Sequence, residues 1–142
     1  MPIRKASAVW EGNLQRGNGT MKLGSGAFEG SYSFGSRFEG AQGTNPEELI
    51  AAAHAGCFSM ALAHSLALAG HMPKRIHTAA KLSLDKVKDG FKITSIHLDT
   101  EAEVPQTNEQ VFLRIAEQAK KNCPVSQALT GTEITLQAKL IS

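Results

Sequence analysis

Cysteine, tryptophan and tyrosine are all scarce: the chain has two, one and one in 142 residues. Two thiols as far apart as Cys57 and Cys123 cannot build the dense disulfide framework of a small secreted scaffold. Aromatic residues make up only 6% of the chain and do not interleave with arginine. The formal charge is +2 with the lysines dispersed, so no surface for following a phosphate backbone is encoded, and nucleic acid is not an expected partner. The opening Met1-Pro2-Ile3-Arg4-Lys5 is followed by no apolar stretch and no small-residue cleavage site, which makes the cytoplasm the expected compartment. There a pair of thiols serves catalysis or sensing more often than structure. Internal repeats, low-complexity segments and linkers are also lacking. With 42% hydrophobic and 20% charged residues, the expectation is one domain over residues 1–142 with a real core.

What the chain does have is one long apolar run, from Thr44 to Ala69. Thr44 or Asn45 can cap it, Pro46 suits a first turn where its missing N–H is no loss, and Glu47 and Glu48 occupy the positions favoured by a capping box and the positive dipole end. Gly70 is the expected C-cap. From Leu49 onward every side of a 3.6-residue period is apolar or small, so this helix is expected to be enclosed. Its length approaches the ~20 residues of a membrane span. Its alanine content and its polar residues His54, Ser59, His64 and Ser65 favour a core helix, and no membrane partner is expected.

Residues 3–34 read as short extended pieces between turns, at 6–10, 14–16, 20–23 and 31–34, the pattern of an antiparallel meander. Residues 35–43 have no usable period and read as a loop that delivers Arg37 just ahead of the helix. Arg75 to Val87 alternates, Lys88-Asp89-Gly90 turns, and Phe91 to Val104 returns as the second arm of a hairpin. The apolar phase slips by one near Thr94-Ser95, which predicts a β-bulge. Thr107 with Gln110 reads as the capping box of a second helix, whose Val111, Phe112, Ile115 and Ala119 follow the helical period and whose last turn carries Lys120 and Lys121. Cys123-Pro124 opens a short turn or helix to Leu129. Gly131 then precedes a final strand bearing Ile134, Leu136, Ala138 and Leu140.

Cys57 admits two readings. A free cysteine in an Ala-rich helix can be merely a small hydrophobe. Alternatively, Cys57 and Cys123, the latter at an element boundary, form an attacking and resolving pair. Cys57 lies about three turns into its helix, beyond the reach of the dipole, and an apolar setting raises a thiol pKa. A reactive Cys57 therefore needs a cation, and Arg37 is the best candidate because guanidinium stays charged when partly desolvated. Glu47 and Glu48 are by default acids at a helix start. His54-x-x-Cys57 has the spacing to begin a metal site, but nothing nearby completes it, and no metal is expected. His64, His71, His77 and His97 read as surface or core polar residues.

Several segments together resemble a known family: Trp10-Glu11-Gly12, Arg37-Phe38-Glu39-Gly40, the run from Gly43 through Thr44-Asn45-Pro46-Glu47-Glu48 and His54-Ala55-Gly56-Cys57-Phe58-Ser59-Met60, then Ser83 to Val87, and Cys123-Pro124-Val125-Ser126. They are similar to the osmotically inducible protein C (OsmC) family of thiol peroxidases, related to the organic hydroperoxide resistance proteins. The likeness covers nearly the whole chain and looks closer to the OsmC branch. It implies an α+β fold: an N-terminal meander, a long buried central helix, a hairpin, a second helix and a C-terminal strand, in an intertwined homodimer with active sites at the subunit interface. It implies a peroxidase that reduces organic hydroperoxides, and hydrogen peroxide less well, without metal or organic cofactor. By the same resemblance Cys57 is the peroxidatic thiolate and Cys123 the resolving thiol. Arg37 is then the activating cation that holds the peroxide, Glu47 the carboxylate that orients Arg37, and an external dithiol of lipoyl type the reductant. The rival reading is a dimeric module for an apolar ligand, with passive or structural cysteines. Glu47 precedes Cys57 by ten residues, about 15 Å along one helix and on a different face, so Arg37 and Glu47 are not both expected to come from the chain whose Cys57 they serve.

Overall fold

The computed structural model describes residues 1–141. The chain forms two compact units, Met1–Leu49 and the residues from Ile50 on.

In the first unit, β1 (Ala6–Glu11), β2 (Asn18–Leu23) and β3 (Glu29–Tyr32) make an antiparallel sheet in the order β1-β2-β3. The meander has three strands: residues 14–16, expected to be extended, form a turn, and Asn18 and Gly19, expected in a turn, begin β2. Gly19 lies where the Trp10 and Tyr32 rings meet, 5.3 Å apart. A Cβ there would come within 2.7 Å of both rings, so only glycine lets them close over the strand. The stretch expected to be a loop holds a helical turn, α1 (Phe34–Phe38). Five residues are too few to show a period. The signal lay in its ends, where the Ser33 side chain accepts from the Ser36 N–H and the Ser36 side chain from the Ser33 N–H.

The central helix α2 (Pro46–Leu68) starts as its sequence requires: the Asn45 Oδ1 accepts from the Glu48 N–H at 2.7 Å. It ends with Gly70 at φ 86, and the His71 N–H reaches back to the Leu66 carbonyl at 2.8 Å. Enclosure is where the structure differs from expectation. His54, Phe58, Leu62 and Leu66, one turn apart, are fully buried, whereas Ala53, Gly56, Met60, His64 and Ala67 are exposed. One chain covers one side of this helix. α2 is long and apolar enough to cross a membrane, but its buried stripe belongs to the protein core, as in a core helix.

The second sheet pairs β4 (Arg75–Val87) with β5 (Gly90–Glu103) antiparallel. Its register steps from Ser83–Ser95 to Leu84–Ile93, so Thr94 is the extra residue and the bulge lies where the apolar phase slips. β6 (Glu133–Leu140) pairs with β5 in parallel, giving the order β4-β5-β6. A parallel neighbour needs a crossover, supplied by α3 (Glu109–Asn122) and α4 (Pro124–Ala128). The cap of α3 is Asn108, which accepts from the Val111 N–H at 2.9 Å, and not the expected Thr107. The Thr107 hydroxyl is instead buried without a partner. The core joins Phe58, Leu62 and Leu66 of α2, Ile96 and Leu98 of β5, and Phe112 and Ile115 of α3. Each such side chain contributes about 1.5–3 kcal/mol by leaving water.

Candidate active site

Cys57 sits mid-way along α2, half-buried, and Cys123 is fully buried at the joint where it ends α3 and caps α4. The two free thiols lie with Sγ atoms 2.9 Å apart. A disulfide has a bond of ~2.05 Å, so closing one from here takes less than about 1 Å of sulfur movement. Burial pushes the Cys57 thiol above its ordinary range, and the neighbouring Cys123 thiol adds to the rise. The Val125 backbone N–H pulls the other way. Burial prevails, so the groups of this unit leave Cys57 protonated at neutral pH. No cation is among the groups that shift Cys57, so among the described residues of this unit nothing of that charge favours the thiolate.

One turn before Cys57, the His54 Nε2 makes a 2.7 Å hydrogen bond with the Ser126 hydroxyl. His54 is fully buried, its Nδ1 has no partner, and burial lowers its pKa, which keeps the ring neutral.

In the first unit, Arg37 and Glu47 form a two-pronged ion pair, Nε to Oε1 and Nη2 to Oε2, both 2.8 Å. This is the fork geometry that only arginine provides. Glu47 is 9% exposed, so its carboxylate has exchanged water for the guanidinium. The last turn of α1 carries Arg37, with its guanidinium 5.3 Å from the Phe38 ring centroid. Beside it lies a cavity of about 220 Å³ lined by Trp10, Leu14, Tyr32, Phe34, Phe38 and Arg37.

The four residues singled out in the sequence therefore stand as two bonded pairs, Arg37 with Glu47 and Cys57 with Cys123. Among the described residues, no three His, Cys, Asp or Glu side chains come together as a metal site. Sequence reasoning missed the Val125 N–H, the His54–Ser126 bond and the aromatic cavity. The second had a signal: His54 precedes Cys57 by three residues, and Ser126 follows Cys123 by three.

A model of the OsmC-like protein family matches residues 39–139. Peroxiredoxin OsmC of Escherichia coli K12 is 51% identical over 140 residues, covering 98% of this chain and 97% of that protein. Organic hydroperoxide resistance protein-like 2 of Staphylococcus epidermidis is 31% identical over 97 residues, 66% of this chain and 65% of that one. Among solved structures, an OsmC-like protein from Mycoplasma pneumoniae superposes with a TM-score of 0.78 over 99% of both chains. At 18% identity that last likeness carries the fold alone.

Proposed function

The chain belongs to the OsmC-like protein family, and on that footing we propose that it is a cysteine-based peroxidase that reduces organic hydroperoxides to alcohols, and hydrogen peroxide less well. The observation that carries this reading is the 2.9 Å approach of Cys57 and Cys123, the only two thiols in the chain. In the proposed reaction the Cys57 thiolate attacks one peroxide oxygen. The O–O bond breaks, the alkoxide takes up a proton and leaves as alcohol, and Cys57 is left as a sulfenic acid. Cys123 then displaces hydroxide from that sulfur, giving a disulfide and water. An external dithiol, of lipoyl type as in the family, reduces the bridge and is itself oxidised.

Arg37 is the proposed activating cation and peroxide ligand, and Glu47 holds it by the two-pronged bond. The aromatic cavity beside Arg37 suits the apolar part of an organic hydroperoxide, with the guanidinium as its strong polar contact. The functional unit is an intertwined homodimer in the cytoplasm, and residues 1–142 act as one domain. The family match supports this last point by running across the boundary between the two units.

Dithiol-reduced protein should consume cumene or tert-butyl hydroperoxide, and Cys57→Ser should not. Intact mass under denaturing conditions should fall by about 2 Da on oxidation, for the two hydrogens lost. Cys123→Ser should instead gain oxygen at Cys57. Equal consumption by Cys57→Ser would overturn the peroxidase reading in favour of an apolar-ligand module, and a disulfide seen only between chains would overturn the role of Cys123.

A further inference from the structure

Two contacts one turn apart tie α4 to α2. Cys123 meets Cys57 at 2.9 Å, and Ser126 meets His54 at 2.7 Å. Residues three apart share a helix face, so the matched spacings on the two helices run past each other in opposite directions. A single contact would leave α4 free to pivot; two fix its rotation as well. His54 is 0% exposed and Ser126 4%, so no water competes for the bond between them. α4 is five residues long, its N-cap Cys123 makes no side-chain cap bond and it opens on Pro124, which has no N–H; its other ties at that end are the Val125 N–H on Cys57 and the Val125 side chain against the core. So short a helix takes its orientation from side-chain contacts. Burial lowers the His54 pKa and so favours the neutral ring that the bond to Ser126 uses.

We propose that His54 and Ser126 are positioning residues for resolution, their buried hydrogen bond holding the α4 turn on α2 so that Cys123 Sγ faces the Cys57 sulfenic acid. This rests on the thiol-peroxidase reading above. In the governed step, the Cys123 sulfur bonds to the Cys57 sulfur, the Cys57 S–O bond breaks, and the departing hydroxide combines with the Cys123 proton as water. A second hydroperoxide competes for the same sulfenic acid, transferring one oxygen to give sulfinic acid and alcohol. Only the first fate depends on where Cys123 points. The His54–Ser126 bond therefore decides how often Cys57 is lost to overoxidation, and leaves the initial attack on peroxide alone.

The test compares full-length Ser126→Ala, His54→Leu, their double variant and His54→Gln, whose amide reaches the place of Nε2. Alcohol release is followed in a single turnover with limiting cumene hydroperoxide, and the sulfinic fraction at Cys57 by mass spectrometry after excess hydroperoxide. Ser126→Ala and His54→Leu should release alcohol at the wild-type rate yet resolve about ten- to a hundredfold more slowly, the penalty of roughly 1 Å of misplacement. Their sulfinic fraction should rise accordingly. The double variant should be no worse than the worse single one, and His54→Gln should recover much of the loss. Overoxidation no higher than wild type in Ser126→Ala, or His54→Gln no better than His54→Leu, overturns the positioning role. Alcohol release reduced in Ser126→Ala as much as resolution also overturns it, as the mark of a general structural defect. Wild-type protein that releases no alcohol overturns the peroxidase reading itself.

Discussion

Arg37 spends two of its donors on Glu47, and that fixes where its remaining donors point. Cys57 is pushed toward the thiol by burial and by Cys123, and the Val125 N–H opposes this. If Arg37 is the cation that restores the thiolate, its loss must move the ionisation of Cys57 to higher pH. Arg37→Ala should slow peroxide reduction about ten- to a hundredfold at neutral pH, the usual range for removing an adjacent opposite charge, and recover in part as pH rises. Arg37→Lys should also be poor, since one ammonium cannot make both bonds to Glu47. Both follow from the pH dependence of iodoacetamide alkylation at Cys57; an unchanged midpoint in Arg37→Ala would sink the assignment. Arg37, Cys57 and Cys123 were legible as candidates because thiols and a junction arginine are chemically conspicuous, whereas Glu47 read by default as an acid at a helix start and took its role from the family resemblance. Ser126 was harder to see: the mirrored spacing, His54 three before Cys57 and Ser126 three after Cys123, points to a partner 72 residues away only once the two cysteines are known to meet.

Among elements, the hairpin was the most legible, because alternation and its slip are both local. Ile93 and Ile96 cannot face the same side without an extra residue between them, and Thr94 is that residue. The start of α3 was misplaced by one residue because Thr107 and Asn108 are both good caps, and the choice depends on how the chain leaves Pro105, which is tertiary. The consequence is measurable. Asn108→Ala removes the bond to the Val111 N–H and should cost about 1 kcal/mol of stability in urea unfolding. Thr107→Val keeps the shape and removes a buried hydroxyl that has no partner, so it should be neutral or stabilising. A larger loss from Thr107→Val than from Asn108→Ala would restore the first reading of the cap. The parallel pairing of β6 with β5 was out of reach altogether, since a strand's own residues do not say which neighbour it will take.

At the scale of the whole molecule, the exposed side of α2 and the two bonded pairs raise the same question. An apolar period on every side was plain in the sequence, yet one chain covers only the stripe of His54, Phe58, Leu62 and Leu66, and leaves Met60 and Leu68 each 76% exposed. In the proposed homodimer a second copy would cover that side. Ten residues, about 15 Å of helix, separate Glu47 from Cys57. Glu47 holds Arg37 of its own chain, so the ion pair is delivered as one piece. We expect it to serve the partner's thiol in the proposed dimer. Co-expressing Cys57→Ser and Glu47→Ala chains under different tags, and purifying the mixed dimer, tests this directly. With service in trans, intact Cys57 of one chain meets intact Glu47 of the other, and the mixed dimer should regain about half of the wild-type activity, one site of two. With service in cis, the chain that keeps Cys57 also carries the broken ion pair, and the mixed dimer should be as impaired as its parents.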